Sequence, residues 1–217
     1  MENTTAKVFD DDGVFVYQAF CDKIADWALT NQTFGGPDFN PRCMTWIKPS
    51  FAWVLYRSGY GKKHNQNRIL KVKISHKSLV SILEQCECKT AGGGSLGRVQ
   101  WDPARDILST DNGKEPRKML RKRAIQIGVK GRISELYVSS VLSIEDVTPL
   151  AHKVGDIHST MTSHKSQTNP MDELLSQLPN ETAYMPRCSI RTLEQLGLSP
   201  GKTANDVFGL GRGKVGK

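Results

Sequence analysis

The sequence predicts an α+β fold, with a single mixed sheet and helices between its short strands. Residues 68–75 alternate in polarity, with Leu70, Val72 and Ile74 on one side and lysines on the other, which is typical of a half-exposed strand. Residues 14–29 place apolar side chains three and four positions apart, which is typical of an amphipathic helix. Because the elements are short and the loops between them irregular, a mixed sheet is favoured over a doubly wound parallel one.

The first sixty residues are predicted to run helix, turn, strand and helix. Their expected bounds are a helix over 14–29, a turn over 35–37, an extended piece over 44–47 and a helix from Ser50 to near Gly59. The turn rests on Gly35-Gly36-Pro37, a strong turn signal. Pro49 disfavours helical backbone at the residue before it, and Ser50 is a favoured N-cap, so the second helix is predicted to start there.

The rest of the core continues the alternation of strands and helices. The expected elements are a strand over 68–75, a helix over 79–86, a loop over 91–95, a strand over 99–101, a strand over 125–129 and a helix over 133–141. Ile125, Ile127 and Val129 alternate with other residues and so predict a strand. After about Asp156 the composition shifts to Ser, Thr, Asn, Pro and Gly, which predicts a core domain over 1–155 and an irregular C-terminal extension with a basic tail over 156–217.

Composition limits the class of protein. The chain has 217 residues, of which 38% are hydrophobic and 24% charged, as in a folded soluble domain. It has no run approaching eighteen apolar residues and starts without a basic, apolar leader, so we expect no membrane partner and a cytoplasmic or nuclear location. Five irregularly spaced cysteines indicate reduced thiols rather than disulfides, and no metal site is predicted.

Positive charge is concentrated in one segment. The formal net charge is +8, and residues 114–132 hold eight basic residues against Glu115 alone, which leaves +7 in this segment. The basic residues are Lys114, Arg117, Lys118, Arg121, Lys122, Arg123, Lys130 and Arg132. Such a segment attracts phosphate on a nucleotide or a nucleic acid, and the alternative is a solvated loop without a ligand.

Residues 43–60 combine aromatic, basic and hydroxyl side chains. Aromatic faces can stack on a nicotinamide or a nucleobase, and basic groups can bind phosphate. The candidate cofactor-binding residues are Arg42, Thr45, Trp46, Lys48, Ser50, Arg57 and Ser58. Ser50 at a helix start would add backbone N–H groups to an anion site. For Phe51, Trp53 and Tyr56, ordinary core packing is the alternative interpretation.

A second dense cluster lies at Gln100-Trp101-Asp102-Pro103. Trp101 could stack on a base, and Asp102 and Arg105 could pair with each other or with a substrate. The alternative is a strand-to-turn junction that Asp102 caps and Pro103 fixes.

Four motifs together resemble the signature of the domain-of-unknown-function family 4291. They are Met-Thr-Trp-Ile-Lys-Pro-Ser-Phe-x-Trp from Met44 with Tyr56-Arg57-Ser58-Gly59, Arg98-Val-Gln-Trp-Asp-Pro-x-Arg-Asp106, Arg123-Ala-Ile-Gln-Ile-Gly128 and Ile144-Glu-Asp-Val-Thr148. The resemblance covers residues 14–155. The family usually has Arg directly before Met-Thr-Trp, where this chain has Cys43, with Arg42 one place earlier. The family name implies no function.

The strand, turn and helix that end at Gly59 are also similar to the nicotinamide-binding opening of ADP-ribosyltransferase folds. That resemblance implies NAD as cofactor, with Thr45 and Trp46 facing the nicotinamide and its ribose. Lys48, Ser50 and Arg57 would then meet the pyrophosphate or support the strand. A carboxylate near the ribose would steady an oxocarbenium-like state, and the candidates are Asp102 and Glu145. Gln126 could occupy the equivalent strand position instead, which would leave NAD binding without turnover.

The leading hypothesis is therefore an NAD-binding, ADP-ribosyltransferase-like domain with nucleic acid as a candidate acceptor. Its candidate substrate-binding residues are Trp101, Arg105, Arg121 and Arg123. The first alternative is a non-enzymatic nucleic-acid-binding module that uses residues 114–132. The second is a scaffold domain that offers its aromatic residues to a protein partner. The sequence leaves the oligomeric state open.

Overall fold

Strands and helices alternate in two sheets. The computed structural model describes residues 8–88, 94–105, 119–163, 177–182 and 184–197, with the backbone alone for 119–122 and 160–163. In chain order the elements are β1 (Gly13–Phe20), α1 (Asp22–Asn31), β2 (Thr45–Ile47), α2 (Phe51–Ser58), β3 (Arg68–Ser75), α3 (His76–Leu83), β4 (Glu87–Cys88), β5 (Gly97–Arg105), β6 (Met119–Val129), α4 (Arg132–Ser139), β7 (Val141–Asp146), α5 (Thr148–Ser163) and α6 (Ile190–Gln195). The predicted α+β class is confirmed, although the strands form two sheets rather than one.

The two sheets differ in the number and the direction of their strands. One has three antiparallel strands in the order β1-β3-β7, and the other has four in the order β2-β6-β5-β4, of which only the β4–β5 pair is parallel among the described strands. Val16, Val72 and Ile144 lie opposite one another across the first sheet and face the main hydrophobic core. Tyr17 and Ile69 point to the other face, where α2 and α5 contribute a second apolar cluster.

The predicted helix over 14–29 is wrong in its first half. Residues 13–20 form strand β1, and helix α1 begins only at Asp22. The apolar spacing of Tyr17, Phe20, Ile24 and Trp27 crosses the boundary between a strand and a helix, so it imitates one continuous helical face. Eight cross-strand pairs with β3, together with the β-branched and aromatic side chains of the segment, stabilise the extended form.

The sheets are joined where β2 ends. The Tyr17 N–H donates to the Lys48 carbonyl at 2.7 Å, and the Lys48 N–H donates to the Tyr17 carbonyl at 3.0 Å. Lys48 follows directly on the three residues of β2 that pair with β6. One stretch of four residues therefore pairs with β6 on one side and with β1 on the other, and it fixes the relative position of the two sheets.

A buried polar network reinforces this junction on the core side. The side chain of Gln18 is 1% exposed, and its Nε2 donates to Thr45 Oγ1 at 2.8 Å and to the Trp46 carbonyl at 3.3 Å. Its Oε1 accepts a hydrogen bond of 2.7 Å from the hydroxyl of Tyr137, which is fully buried on α4. A single glutamine thus connects β1, β2 and α4 by hydrogen bonds within the core.

The outer edge of β7 is occupied by a side chain. Gln32, at the left-handed end of α1 with a φ of 53°, accepts from the Ile144 N–H at 2.8 Å and donates to the Ile144 carbonyl at 3.2 Å. The primary amide imitates a neighbouring strand for one residue, so the edge of β7 is blocked at Ile144.

Capping residues define both ends of α2. Ser50 caps the helix by accepting from the Trp53 N–H, and Gly59 ends it in the left-handed region with a φ of 59°, as predicted. Helix α5, in contrast, is missing from the predicted elements, and it runs through residue 155, the predicted domain boundary. Leu193 and Leu196 of the extension pack into the main core. Within the described residues, none of the helices has both the length and the apolar character to cross a membrane.

Candidate functional site

One face of the four-stranded sheet carries mostly polar side chains. Cross-strand partners point to the same face, and register places Trp46 opposite Gly128, Gln100 opposite Gln126, and Asp102 opposite Ala124. We call this surface the polar sheet face and define it by Trp46, Lys48, Arg98, Gln100, Asp102 and Gln126. Gln126 is buried, and the other five are partly buried. The opposite face of the same strands carries Ile47, Val99 and Ile127 into the core.

Asp102 is held in place by two amide side chains. Gln100 Nε2 donates to Asp102 Oδ1 at 2.8 Å, and Gln126 Nε2 donates to Asp102 Oδ2. The three residues lie on β5 and β6, so the carboxylate is fixed by neighbouring strands of one rigid sheet. Asp102 and Gln126, two of the predicted catalytic residues, are thus in direct contact. Gln100 is not among the predicted site residues, although its place two residues before Asp102 on a strand puts it on the same face.

Lys48 is a cation without an acidic partner among the described side chains. Its Nζ donates to the Trp46 carbonyl at 3.2 Å, and none of the described carboxylates lies within ion-pair distance. The pKa of Lys48 is lowered to about 8, chiefly by burial and also by repulsion from Arg57, while attraction to Asp102 opposes both. The influence of Arg57 and Asp102 places both groups near the amine. A fraction of Lys48 is therefore neutral at physiological pH.

The indole ring of Trp46 packs against a glycine. A Cβ atom at Gly128 would stand 3.0 Å from the Trp46 ring and 2.9 Å from the sulfur of Met44, closer than side chains tolerate. Glycine at this position lets the indole lie against the backbone of β6. The ring is thereby positioned at one end of the polar sheet face, where the residue stays partly exposed.

The cations of the three-stranded sheet are paired with carboxylates, whereas those at the polar sheet face are not, among the described residues. In the three-stranded sheet Arg68 pairs with Asp26 at 2.6 Å and with Asp146 at 2.7 Å, and Lys73 pairs with Asp10 at 2.9 Å. Among the described residues, Arg98 forms no ion pair, and its buried Nε has no hydrogen-bond partner. Lys48 and Arg57 are also without ion pairs in that part of the chain. The polar sheet face therefore has an excess of positive charge that suits an anionic ligand.

The start of α2 is an anion site that the chain fills itself. Glu181 accepts hydrogen bonds from Ser50 Oγ at 2.9 Å and 3.1 Å and from the Ala52 N–H at 3.0 Å. Its carboxylate also lies at the positive end of the helix dipole. The prediction that Ser50 opens an anion-binding helix end has the right chemistry, but a carboxylate from the C-terminal extension occupies it. Nothing in the local sequence indicates this contact across 131 residues.

Two predicted cofactor-binding residues point away from the polar sheet face. Thr45 faces the core, where its hydroxyl accepts from Gln18. Ser58 is fully buried, and its hydroxyl donates to the Val54 carbonyl at 2.8 Å and accepts from the Gly61 N–H at 3.1 Å. Arg42 is exposed in the turn before β2. Of the predicted set, the structure brings Trp46 and Lys48 to this face, with Arg57 close to the Lys48 amine.

The remaining predicted residues are dispersed. Glu145 lies on the three-stranded sheet and pairs with Lys71 at 3.1 Å. Trp101 points to the core side, and its Nε1 donates to the Leu196 carbonyl at 2.7 Å. Arg123 is exposed, opposite Pro103 on the neighbouring strand, while the side chain of Arg121 lies outside the described residues.

Arg105 stacks on a pair of aromatic rings from α2. Its guanidinium carbon lies 4.1 Å from the ring centre of Tyr56 and 5.9 Å from that of Trp53. Strand β5 continues through Pro103 to Arg105, so the turn considered at Pro103 does not form. The cation–π contacts attach the end of β5 to α2 and close one side of the polar sheet face.

A separate cavity of about 610 Å³ lies beyond α2. It is lined by Cys21, Asp22, Lys23, Asp38, Lys62, Lys63, His64, Asn65 and Asn67. Several of these side chains are already engaged, since Lys62 pairs with Asp156 at 2.9 Å and Asn67 donates to Asp22 at 2.7 Å. The cavity shares no lining residue with the polar sheet face, so it does not serve the cluster around Asp102.

Comparison with known proteins relates the whole site to one family. A family model described as a domain of unknown function, DUF4291, matches residues 4–184. None of the curated proteins matches the chain. The matched range includes every residue of the polar sheet face and extends to Glu181.

Proposed function

The chain belongs to the DUF4291 family, whose description states no activity, and we propose from its site that it binds NAD at the polar sheet face and acts as an ADP-ribosyltransferase. The observation that carries the proposal is the carboxylate of Asp102, fixed by Gln100 and Gln126 on the same face as Trp46 and Lys48. Binding and cleavage of NAD require an aromatic ring to stack on a base, cations to neutralise the pyrophosphate and a carboxylate oriented towards the ribose.

Each group has a role in the proposed reaction. The Trp46 ring stacks on a base of the dinucleotide, and Lys48 with Arg57 and Arg98 neutralises the pyrophosphate. The bond between nicotinamide and ribose breaks, its electron pair leaves with the neutral nicotinamide, and the ribose carbon becomes cationic before the acceptor's nucleophile attacks it. Asp102 stabilises that developing positive charge because two amide donors fix its orientation before the reaction.

The test compares binding with turnover. We expect the wild-type protein to bind NAD in isothermal titration and to release nicotinamide. Asp102→Asn should keep the binding heat and lose roughly 10²–10³-fold in the rate of release, since one preorganised electrostatic group contributes about that much. Trp46→Ala should lose the binding itself.

The matched control is Asp11→Asn, which changes an exposed aspartate on the three-stranded-sheet side. It should behave as the wild type in both measurements. Absence of both heat and nicotinamide release at millimolar NAD would remove the proposal. Binding without release would reduce it to an NAD-binding domain.

A second candidate function is binding of single-stranded nucleic acid, favoured by a basic cluster at the end of β6. The Gly131 N–H donates to the Pro41 carbonyl at 2.7 Å, which brings Arg42 close to Lys130 and Arg132. None of these three cations has an ion pair among the described residues. The remainder of the basic segment over 114–132 precedes this cluster along the chain.

Salt dependence tests this second function. Binding to a single-stranded oligonucleotide should weaken steeply with salt, because phosphate contacts release counterions. The double variant Lys130→Glu with Arg132→Glu should reduce the slope of log K against log salt by about 0.7 for each phosphate that is no longer neutralised. Lys77→Glu, on the exposed surface of α3, is the control for charge alone. If binding by the wild-type protein does not change with salt, this function is excluded. Trp46→Ala should bind the oligonucleotide with the same salt dependence as the wild type.

A further inference from the structure

Beyond NAD binding, we propose that Lys48 is a nucleophilic amine that forms a covalent imine with phosphate-bearing aldehydes. The proposal starts from the position of the side chain. Lys48 lies at the junction of the two sheets, its backbone is fixed by two hydrogen bonds to Tyr17, and its Nζ is held at the Trp46 carbonyl at 3.2 Å. The residue is partly exposed, and its side chain lies on the polar sheet face.

The surroundings of the amine disfavour its protonated form. A structural lysine in a partly buried site usually pairs with a carboxylate, as Lys71 does with Glu145 and Lys73 with Asp10. Lys48 has no such partner among the described residues. The charged groups that act on its amine are Arg57 from α2 and Asp102 from β5, while Arg98 lies further along the same face, in line with Trp46 across Gly128. Burial and the charge of Arg57 disfavour a positive charge on the amine, and the attraction of Asp102 offsets them only in part.

The same neighbours select a phosphate on the ligand. Arg98 has a buried Nε without a partner in the described structure, and Arg57 lies close enough to affect the Lys48 amine. Guanidinium groups bind phosphate in a planar, two-pronged geometry, and Trp46 offers an aromatic surface two residues before Lys48 on the same face. A planar aldehyde with a phosphate therefore fits the amine together with the guanidinium and aromatic groups of this face.

The reaction is balanced without a further reagent. The lone pair of the neutral Lys48 nitrogen attacks the carbonyl carbon, and a C–N bond forms. The carbonyl oxygen takes up both protons of the nitrogen and leaves as water, so that a C=N bond replaces the C=O bond. No atom changes oxidation state overall, and the imine is reversible until a hydride reagent reduces it.

The availability of the neutral amine makes the site selective. At pH 7 an amine with a pKa of about 8 is roughly one-tenth neutral, whereas an ordinary lysine near pKa 10.4 is neutral in about one molecule in 2,500. Lower basicity makes each neutral amine a weaker nucleophile, which offsets part of this advantage. We expect Lys48 to react at least about tenfold faster than exposed lysines such as Lys77 and Lys153.

Pyridoxal 5′-phosphate is a suitable probe. The full-length protein is incubated at pH 7 with substoichiometric probe, reduced with cyanoborohydride, digested and mapped by mass spectrometry. The adduct should be found on Lys48 in at least about tenfold excess over Lys77 and Lys153. Pyridoxal forms an internal hemiacetal and labels every lysine less, so labelling of Lys48 is compared with that of Lys77. The ratio of the two should be lower with pyridoxal than with its phosphate, and Arg57→Met should narrow this difference.

Lys48→Arg is the matched variant because it keeps the positive charge and removes the nucleophile. It should lose the preferential adduct while the labelling of Lys77 remains. Equal labelling of all exposed lysines in the wild type would overturn the proposal, and this outcome does not depend on the folding of any variant. A ratio of Lys48 to Lys77 labelling that is the same with pyridoxal and with its phosphate would overturn the phosphate selectivity. NAD has no aldehyde, so these results are independent of NAD binding.

Discussion

Replacement of Gln18 by Leu should lower the free energy of unfolding by about 2–4 kcal/mol, because it leaves buried polar groups without partners. The Tyr137 hydroxyl is fully buried and donates to Gln18 Oε1 at 2.7 Å, and Thr45 Oγ1 accepts from Gln18 Nε2 at 2.8 Å. Each unsatisfied group costs about 1–3 kcal/mol. Leucine has a volume close to that of glutamine, so the decrease comes chiefly from the lost hydrogen bonds and not from a cavity. Urea unfolding followed by tryptophan fluorescence measures it.

A double-mutant cycle with Tyr137→Phe separates the network from general disruption. Tyr137→Phe removes the buried hydroxyl that Gln18→Leu leaves without a partner. The double variant should therefore be more stable than the sum of the two single effects implies, by about 1–2 kcal/mol. Strict additivity would show that the two side chains do not depend on each other, contrary to the geometry.

The same network positions the candidate site. The Trp46 carbonyl accepts from Gln18 on one side and from the Lys48 amine on the other. Disturbance of Gln18 therefore reaches the polar sheet face through one peptide group. Gln18→Leu should weaken ligand binding at Lys48 even in molecules that remain folded, since sites of this kind depend on rigid support.

Where the determinants are local, the sequence predicts the structure well. The alternation of Leu70, Val72 and Ile74 identifies β3, whose two neighbours pair along both of its edges. Ser50 and Gly59 identify both ends of α2, because capping and left-handed backbone are decided by the residue itself. These signals act within four or five positions and need no tertiary contact.

Strand β1 shows where such signals fail. The segment has apolar side chains at helical spacing, yet residues 13–20 pair with β3 over their whole length. Pairing with a strand more than fifty positions later overrides the local pattern. The spacing of apolar residues also continues without a break from one face of β1, across Cys21, to one face of α1. The spacing alone therefore does not reveal where the strand ends and the helix begins.

The candidate site is only partly predictable for a related reason. Trp46 and Lys48 can be identified because they share a short segment with a clear two-residue spacing. The contact of Asp102 with Gln126 depends on the register of β5 with β6. The residue types in the connection between the two strands do not determine that register. The carboxylate of Glu181 at α2 comes from the far end of the range that the family model matches, and no pattern in either segment encodes it.

Replacement of Lys48 by Met should raise the free energy of unfolding at pH 7, by up to about 3 kcal/mol. The pKa of Lys48 falls from 10.5 to about 8 on folding, chiefly through burial. Below pH 8 the amine is protonated in both states, and the folded state then bears the full cost of a buried charge. Between pH 8 and 10.5 the unfolded chain binds more protons than the folded chain, so wild-type stability rises with pH relative to the variant. Above pH 10.5 the amine is neutral in both the folded and the unfolded state, so its protonation no longer contributes to the difference in stability between the wild type and the variant.

Chemical unfolding at several pH values between 7 and 10.5 measures the difference, with Lys77→Met as the control at an exposed position. The control should show little change and no such pH dependence. The sign of the effect distinguishes two roles for Lys48, because removal of a lysine that holds the fold together lowers the stability of the protein. If Lys48→Met is more stable than the wild type, the Lys48 cation opposes folding. Its place within the influence of Asp102 and Arg57 then serves the binding of a ligand and not the stability of the fold.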